Sequence, residues 1–306
     1  SFVSSIQFTR PDAIVDADWL AANLDDPNLR VYDCTTYLDP PAPGVAAAYT
    51  IRSGEEDFLD AHIHGSNFLD LQRDLSAQDS DPRLRFTMPE ADQLADTLAQ
   101  KGIGADSRVV LYARGNMQWA TRVWWMLYAI GFDNAAILDG GMDNWTARGL
   151  PTHQEVQAYT AATPWPASPR PEAFADRDEV VAAMSSATTC TLNALSNALH
   201  TGVDDRYGRP GRIPGSVNLP AADLQASDVR TFLAPHELEA RFSDVVPGDT
   251  TRTIVYCGGG IAATLDAFLM LQLGYSNIGV YDASMSEWAN DHNLPMVSGP
   301  ETDARG

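Results

Sequence analysis

The chain of 306 residues repeats one pattern of alternating strands and helices, and this repeat is its strongest constraint on the fold. Runs of β-branched and aromatic residues predict strands at matching places in both halves: 29–33, 108–112 and 135–139, then 189–193, 253–256 and 277–282. Tyr112 and Tyr256 are 144 residues apart, as are Pro151 and Pro295. Self-similarity over such a distance indicates a duplicated structural unit.

Amphipathic segments separate these strands, for example at 88–100 and 235–242, and they predict helices. Alternation of strands and helices is typical of a mainly parallel sheet with helices on both faces. We therefore predict an α/β fold of two similar domains, residues 10–153 and 172–299. The proline-rich, polar segment 154–171 is the predicted linker, and a cleft for a ligand is expected between the domains.

Cys257 lies at the centre of the most informative stretch. A strand-like run ends at Tyr256, and apolar residues at spacings of three and four predict a helix that stops at Gly274. The first N–H groups of a helix lack intrahelical partners, and together with the helix dipole they favour a thiolate. Glycines allow the backbone to curve around the sulfur. We expect Cys257 to be a nucleophile inside an anion-binding loop of backbone amides from Gly258, Gly259, Gly260, Ile261 and Ala262.

Other interpretations of this stretch remain open. A lone cysteine in an apolar run is often a small buried hydrophobe, and a glycine-rich turn is often only a turn. A nucleotide loop is disfavoured because no Lys-Ser/Thr pair follows the glycines. A cysteine phosphatase is disfavoured because Ala263 occupies the position of its phosphate-binding arginine. In the first half Ala113 stands where the second half has Cys257, so only the second domain is expected to be catalytic.

The net charge of −21 restricts the partners of the protein, and Lys101 is its only lysine. Such a surface repels nucleic acid and anionic membranes. No apolar run approaches the roughly 20 residues of a membrane span. We therefore expect small-molecule partners, with no nucleic acid and no membrane, and the sequence indicates no cofactor.

The three cysteines, Cys34, Cys190 and Cys257, are too few for a disulfide framework and suit a reducing, cytoplasmic compartment. They show neither C-x-x-C spacing nor a nearby pair of histidines, so no metal site is predicted. We expect Cys34 and Cys190 to be structural, to lie near strand ends and not to be joined to each other.

Five further segments occur in order and partly in duplicate: 64–65, 122–127, 138–145, 213–219 and 280–288. With the Cys257 loop they resemble the tandem-domain sulfurtransferases, namely rhodaneses (thiosulfate sulfurtransferases) and 3-mercaptopyruvate sulfurtransferases. The resemblance covers essentially the whole chain and implies two rhodanese-like domains. It also implies that Cys257 accepts a sulfur atom as a persulfide and passes it to a thiol or cyanide in a two-step reaction.

The loop after Cys257 bears on the sulfur donor. By this resemblance, thiosulfate enzymes carry basic residues directly after the cysteine, which are absent here. Mercaptopyruvate enzymes carry C-G-S-G-V, and the present loop is closer to that pattern, with Gly259 in place of the serine. We therefore expect 3-mercaptopyruvate to be favoured over thiosulfate.

Leu195 stands where the resemblance places a carboxylate-binding arginine. Arg206, Arg209 and Arg212, in the following segment, are candidate guanidinium ligands for the donor, the alternative being a solvated loop. Asp70 resembles an acidic residue that the family places near the cysteine. A second function stays open, that of a catalytically weak or repurposed relative that binds a ligand or partner in the interdomain cleft.

Overall fold

The computed structural model describes residues 5–78 and 81–301 and contains two five-stranded sheets. In chain order the first half contains β1 (Ile14–Val15), α1 (Ala17–Asn23), β2 (Leu29–Asp33), β3 (Thr36–Asp39), β4 (Thr50–Ser53), α2 (Glu55–Asp60), β5 (Asn67–Phe68), α3 (Ala91–Gln100), β6 (Arg108–Tyr112), α4 (Gln118–Ala129), β7 (Ala135–Leu138) and α5 (Gly141–Ala147). The first sheet is parallel and has the order β1-β7-β6-β2-β5. Strands β3 and β4 form a separate antiparallel hairpin.

The second half repeats this arrangement without the hairpin. Its elements are β8 (Phe174–Ala175), α6 (Arg177–Ala183), β9 (Thr189–Asn193), α7 (Asn197–Thr201), β10 (Val217–Asn218), α8 (Pro235–Val245), β11 (Arg252–Tyr256), α9 (Ala262–Gln272), β12 (Ile278–Tyr281) and α10 (Ser284–Trp288). The parallel order is β10-β9-β11-β12-β8. Within the described residues, no helix is long and apolar enough to cross a membrane.

Neighbouring residues of the central strands pack against opposite layers of helices. In β6, Leu111 joins the apolar cluster that includes α3 and α4, whereas Val110 joins the cluster of α1 and α5. In β11, Val255 faces α9 and Ile254 faces the side of α6 and α10. Strands covered on both faces read as continuous hydrophobic runs, as these do. The predicted fold class, two similar α/β units with mainly parallel sheets and helices on both faces, is confirmed.

The repeat is visible in single contacts as well as in topology. Nε1 of Trp145 donates a hydrogen bond to the carbonyl of Pro151 at 3.0 Å. In the second half, Nε1 of Trp288 donates to the carbonyl of Pro295 at 2.8 Å. Both tryptophans are almost fully buried, and each binds the segment that follows the last helix of its half. The paired prolines of the sequence therefore occupy equivalent structural positions.

The two halves share one apolar core, because helices α4 and α9 pack against each other. The rings of Trp124 and Phe268 meet edge to face at 4.7 Å, and the hydroxyls of Thr121 and Thr264 are 2.9 Å apart. Nearly every residue of both helices is buried. The contact explains why α9 is largely apolar and buried on nearly all sides, a pattern expected for a helix enclosed by protein.

The segment 154–171 lies extended against the first half. The backbone N–H of Val31 donates to the Tyr159 hydroxyl at 2.9 Å, and Nε1 of Trp165 donates to the carbonyl of Ile103 at 2.9 Å. The segment is therefore anchored along the surface of the first half over much of its length. The domain boundaries predicted at its two ends stay a prediction, because the apolar core is continuous across the halves.

Candidate active site

Cys257 is the first residue after β11, and α9 begins five residues later at Ala262. The buried residues Ile254, Val255 and Tyr256 hold the strand in the centre of its sheet, so the loop leaves from the carboxyl end of a parallel strand. This edge is the usual ligand-binding edge of open α/β sheets. Cys257 is only 2% exposed, and its backbone N–H donates to Oγ of Ser284 at 3.1 Å.

The loop bends so that a backbone amide reaches the sulfur. The N–H of Gly260 donates to Sγ of Cys257 at 3.2 Å. Gly260 has φ +81°, and a Cβ at this position would lie 2.6 Å from the carbonyl oxygen of Asp282. Both the backbone angle and the close approach exclude a larger residue without distortion. The third glycine of the run is therefore required by the loop that contacts the thiol.

Helix α10 holds two carbonyls of this loop. The N–H of Met285 donates to the carbonyl of Cys257 at 3.0 Å. The N–H and Oγ of Ser286 both donate to the carbonyl of Gly258, at 2.9 and 2.7 Å. In a trans peptide the C=O and the following N–H point in opposite directions. These contacts therefore turn the amides of Gly258 and Gly259 away from α10.

Two tyrosines cover the loop. The hydroxyl of Tyr207 packs directly on Gly258, where a Cβ would overlap it, and the Tyr49 hydroxyl would lie 3.0 Å from a Cβ at Gly259. The two rings meet edge to face at 6.4 Å. Burial, as the main cause, raises the pKa of both phenols above the ordinary value, so both stay protonated. The pair therefore packs on the two glycines that directly follow Cys257.

Both tyrosines line a cavity of about 1030 Å³. Its walls come from the β3–β4 hairpin, a π-helical turn at Leu71–Leu75, the segment 205–208 and α10. Asp70 lines it and caps the π-helical turn by accepting a hydrogen bond from the N–H of Arg73 at 2.8 Å. Among the predicted donor ligands, Arg206 also lines the cavity, with Nη2 2.6 Å from Oδ2 of Asp204.

Arg209 and Arg212 have other partners. Arg212 is buried and donates to the carbonyls of His200 and Gly299 at 3.2 and 2.7 Å. Arg209 donates to four backbone carbonyls at the end of α10 and beyond it, those of Trp288, Ala289, Asp291 and Leu294. Neither is among the described residues that line the cavity. Their guanidinium groups hold the C-terminal segment in place, so the geometry speaks against the predicted contact with the donor.

Arg85 is a cavity residue that the sequence did not single out. It is exposed and lines the same space as Arg206. Arg73 and Arg83, also in the walls, are ion-paired to neighbouring carboxylates. Among the described residues, no carboxylate lies within ion-pair distance of Arg85. In the sequence, Arg85 is recognisable only as the basic residue of the segment 84–88.

The corresponding loop of the first half has a different lining. The carbonyl of Ala113 accepts from the N–H of Met142 at 3.0 Å, as the carbonyl of Cys257 accepts from Met285. Ala113 therefore occupies the position equivalent to the cysteine. The amide of Arg114 there donates to Oγ1 of Thr35 at 2.9 Å, and that of Gly115 donates to the Asp143 carboxylate at 3.1 Å. The first half thus lacks a thiol at this position, and side chains of its own already bind these loop amides.

The other two cysteines lie in strand regions. Cys34 directly follows β2, is fully buried, and its thiol pKa is raised by burial and, to a smaller extent, by Asp33. Cys190 is the second residue of β9 and is also buried. These positions agree with the expectation that both lie near strand ends.

Comparisons with known proteins agree with this geometry. A family model of the rhodanese-like domain matches residues 16–148 and 201–291. The probable 3-mercaptopyruvate sulfurtransferase of Pseudomonas aeruginosa is 32% identical over 292 residues, covering 94% of this chain and 98% of that protein. The thiosulfate sulfurtransferase of Corynebacterium glutamicum is 28% identical, with 97% of this chain and 94% of that protein covered.

Among solved structures, the crystal structure of SseA from Escherichia coli superposes with a TM-score of 0.74. The sequences are 27% identical, and the match covers 89% of this chain and 98% of that one. The chain therefore belongs to the rhodanese family and, within it, to the sulfurtransferase enzymes.

Proposed function

We propose that the protein transfers a sulfane sulfur through a persulfide on Cys257. The Cys257 thiolate attacks the donor sulfur, a new S–S bond forms, and the donor's bond to that sulfur breaks with the electron pair leaving on the donor remainder. A thiolate or cyanide then attacks the outer sulfur and releases the Cys257 thiolate. The observation that carries the proposal is the amide of Gly260, which donates to Sγ and would stabilise an anionic sulfur.

We propose 3-mercaptopyruvate rather than thiosulfate as the better donor. The relative from Pseudomonas aeruginosa bears the name of that activity, and the residues that follow Cys257 are uncharged as far as Thr264. A carboxylate that lies several atoms from the reacting sulfur could contact Arg206 or Arg85 in the cavity. A thiosulfate dianion would instead bring its charge next to the uncharged loop.

The test is a set of steady-state assays with each donor and cyanide as acceptor, together with intact-mass analysis after donor alone. We expect one added sulfur atom on the wild type, none on Cys257→Ser, and an unchanged result for Cys34→Ser, which alters a buried cysteine away from the loop. Sulfur transfer that persists in Cys257→Ser would refute the proposed nucleophile.

The donor contact is tested separately. Arg206→Met and Arg85→Met should raise KM for 3-mercaptopyruvate and lower kcat/KM by about ten- to a hundredfold, since a lost charge-assisted hydrogen bond costs roughly 1.5–3 kcal/mol. Arg148→Met, an exposed arginine paired with Asp18, is the matched control. If neither cavity arginine matters, or if thiosulfate is the better donor, the account of the donor site fails while the role of Cys257 stands.

One observation favours the alternative function, a repurposed relative that binds a ligand in this cavity: Cys257 is buried, and Tyr49 and Tyr207 pack on the glycines that follow it. That alternative predicts no turnover with either donor and no added sulfur on Cys257. The same assays therefore separate the two functions. The cytoplasmic location and the exclusion of nucleic-acid partners stay predictions from the sequence.

A further inference from the structure

Arg122, in α4 of the first half, reaches across to the Cys257 loop of the second half. Its side chain is fully buried, and Nη1 donates to the carbonyl of Gly260 at 3.1 Å and to Oδ1 of Asp282 at 2.7 Å. Nη2 donates to the carbonyl of Phe86. The other carboxylate oxygen of Asp282 accepts from the N–H of Met88 at 2.7 Å. One guanidinium thus joins two segments of the first half to the reactive loop.

This contact determines the direction of a peptide group next to the thiol. Gly260 lies in the left-handed region, and glycine alone does not fix the orientation of its flanking peptides. Holding its carbonyl toward Arg122 turns the following amide, that of Ile261, to the opposite side. Helix α10 holds the carbonyls of Cys257 and Gly258 in the same manner, but from within the second half.

The cost of burying Arg122 argues against simple space filling. A buried guanidinium is strongly unfavourable unless it is paired and hydrogen-bonded. Asp282 and the carbonyls of Gly260 and Phe86 accept hydrogen bonds from the two Nη atoms of Arg122. Its Nε has no hydrogen-bond partner among the described residues. An apolar side chain of similar length would fill the same volume without that cost.

The repeat supplies an internal comparison. Asp266 lies 144 residues after Arg122 and, like it, is the fifth residue of its helix. Neither carboxylate oxygen of Asp266 has a hydrogen-bond partner among the described residues. Arg122 therefore binds the loop that contains the cysteine. Asp266, its equivalent in the second half, makes no corresponding hydrogen bond to the Ala113 loop.

We infer that Arg122 is a positioning residue, contributed by the first half, that orients the Gly260–Ile261 peptide around the Cys257 sulfur. It acts through the loop and does not touch the sulfur in the contacts observed. The inference rests on the proposed role of Cys257 as the nucleophile. It assigns to the first half, which has Ala113 in place of the loop cysteine, a part in the reactivity of the second.

The experiment compares Arg122→Met, Arg122→Lys and Asp282→Asn with the wild type. The control is Arg170→Met, because Arg170 also binds one carboxylate, that of Asp133, and one backbone carbonyl, that of Tyr128, away from the loop. The primary readout is the second-order rate at which iodoacetamide alkylates Cys257, followed by peptide mass analysis, since it requires no donor. kcat, KM and thermal unfolding are measured in parallel.

We expect Arg122→Met to lower the alkylation rate and kcat by about ten- to a hundredfold, with KM for the donor little changed. Arg122→Lys should recover part of the loss, because one ammonium group can reach Asp282 or a carbonyl but cannot bridge all three partners. Asp282→Asn should lie between these variants, and Arg170→Met should change thermal stability alone.

The inference is overturned if folded Arg122→Met alkylates and turns over within twofold of the wild type. It is also overturned if the loss in every variant equals the fraction of unfolded protein. If Arg122→Met fails to fold, the alkylation rates and kcat values of Arg122→Lys and Asp282→Asn test the inference by the same criteria. Alkylation requires no sulfur donor, so failure of this inference is distinguishable from failure of the proposed function, which Cys257→Ser decides.

Discussion

Gly260 and Gly65 have almost the same backbone conformation, with φ +81° and +79°, but different surroundings. A Cβ at Gly260 would lie 2.6 Å from the carbonyl of Asp282, whereas no described atom beyond the chain neighbours lies within 4 Å of a Cβ at Gly65. The two sites therefore separate the effect of backbone strain from the effect of close approach. At Gly260 both effects act on the loop that contacts the thiol.

We predict that Gly65→Ala costs about 1 kcal/mol, the price of a left-handed conformation, and leaves sulfur transfer unchanged. Gly260→Ala should cost about 1–2 kcal/mol more and lower kcat/KM at least about tenfold, because the loop must shift. Denaturant unfolding and steady-state kinetics measure the two effects. Equal destabilisation and equal activity of the two variants would show that the approach to Asp282 is not tight.

The site residues that the sequence identified without the family resemblance are those whose roles are local. Cys257 and its glycines are recognisable because a strand-like run, three glycines and a helical pattern follow one another directly. Tyr49, Tyr207, Arg85 and Arg122 come from distant segments. Arg122 and Asp282 are 160 residues apart, so only the docking of the halves brings them together. No local pattern contains that information.

At the scale of elements, the core strands were predicted well and the β3–β4 hairpin was not. The predicted strand 108–112 has the bounds of β6, and 253–256 differs from β11 by one residue. These strands are buried on both faces, which produces a continuous apolar signal. The hairpin lies at the surface, and its turn is rich in alanine and proline. No alternation of apolar and polar residues therefore predicted it from the sequence. It supplies much of the cavity wall and approaches the loop through Tyr49.

Helix α9 contains a buried acid that affects the pH dependence of folding. Burial raises the pKa of Asp266 well above the ordinary value, so the folded protein keeps this proton to a higher pH than the unfolded chain does. The unfolded chain loses this proton first, near pH 4. Stability from this residue is therefore fully present below about pH 4 and is lost as pH rises toward the folded-state pKa, by about 1.4 kcal/mol per unit.

We predict that Asp266→Asn, which cannot ionise, gains stability relative to the wild type as pH rises from about 5 to 8. Denaturant unfolding at several pH values measures the difference. Asp96→Asn, on the exposed side of α3, is the control for the loss of one carboxylate at the surface. Parallel stability curves for the wild type and Asp266→Asn would mean that the acid ionises in the folded state.

For the whole molecule, the net charge of −21 controls the approach of any anionic donor. Repulsion falls as salt screens it, with a Debye length of about 30 Å at 0.01 M and about 3 Å at 1 M. We predict that kcat/KM rises with ionic strength for both donors. The rise should be steeper for thiosulfate, a dianion, than for 3-mercaptopyruvate, a monoanion, so the preference for 3-mercaptopyruvate should be greatest at low salt.

Alkylation by iodoacetamide, which is neutral, is the control and should change little. A donor ratio independent of salt would mean that local contacts such as Arg206 and Arg85, rather than the field of the whole protein, govern access to Cys257.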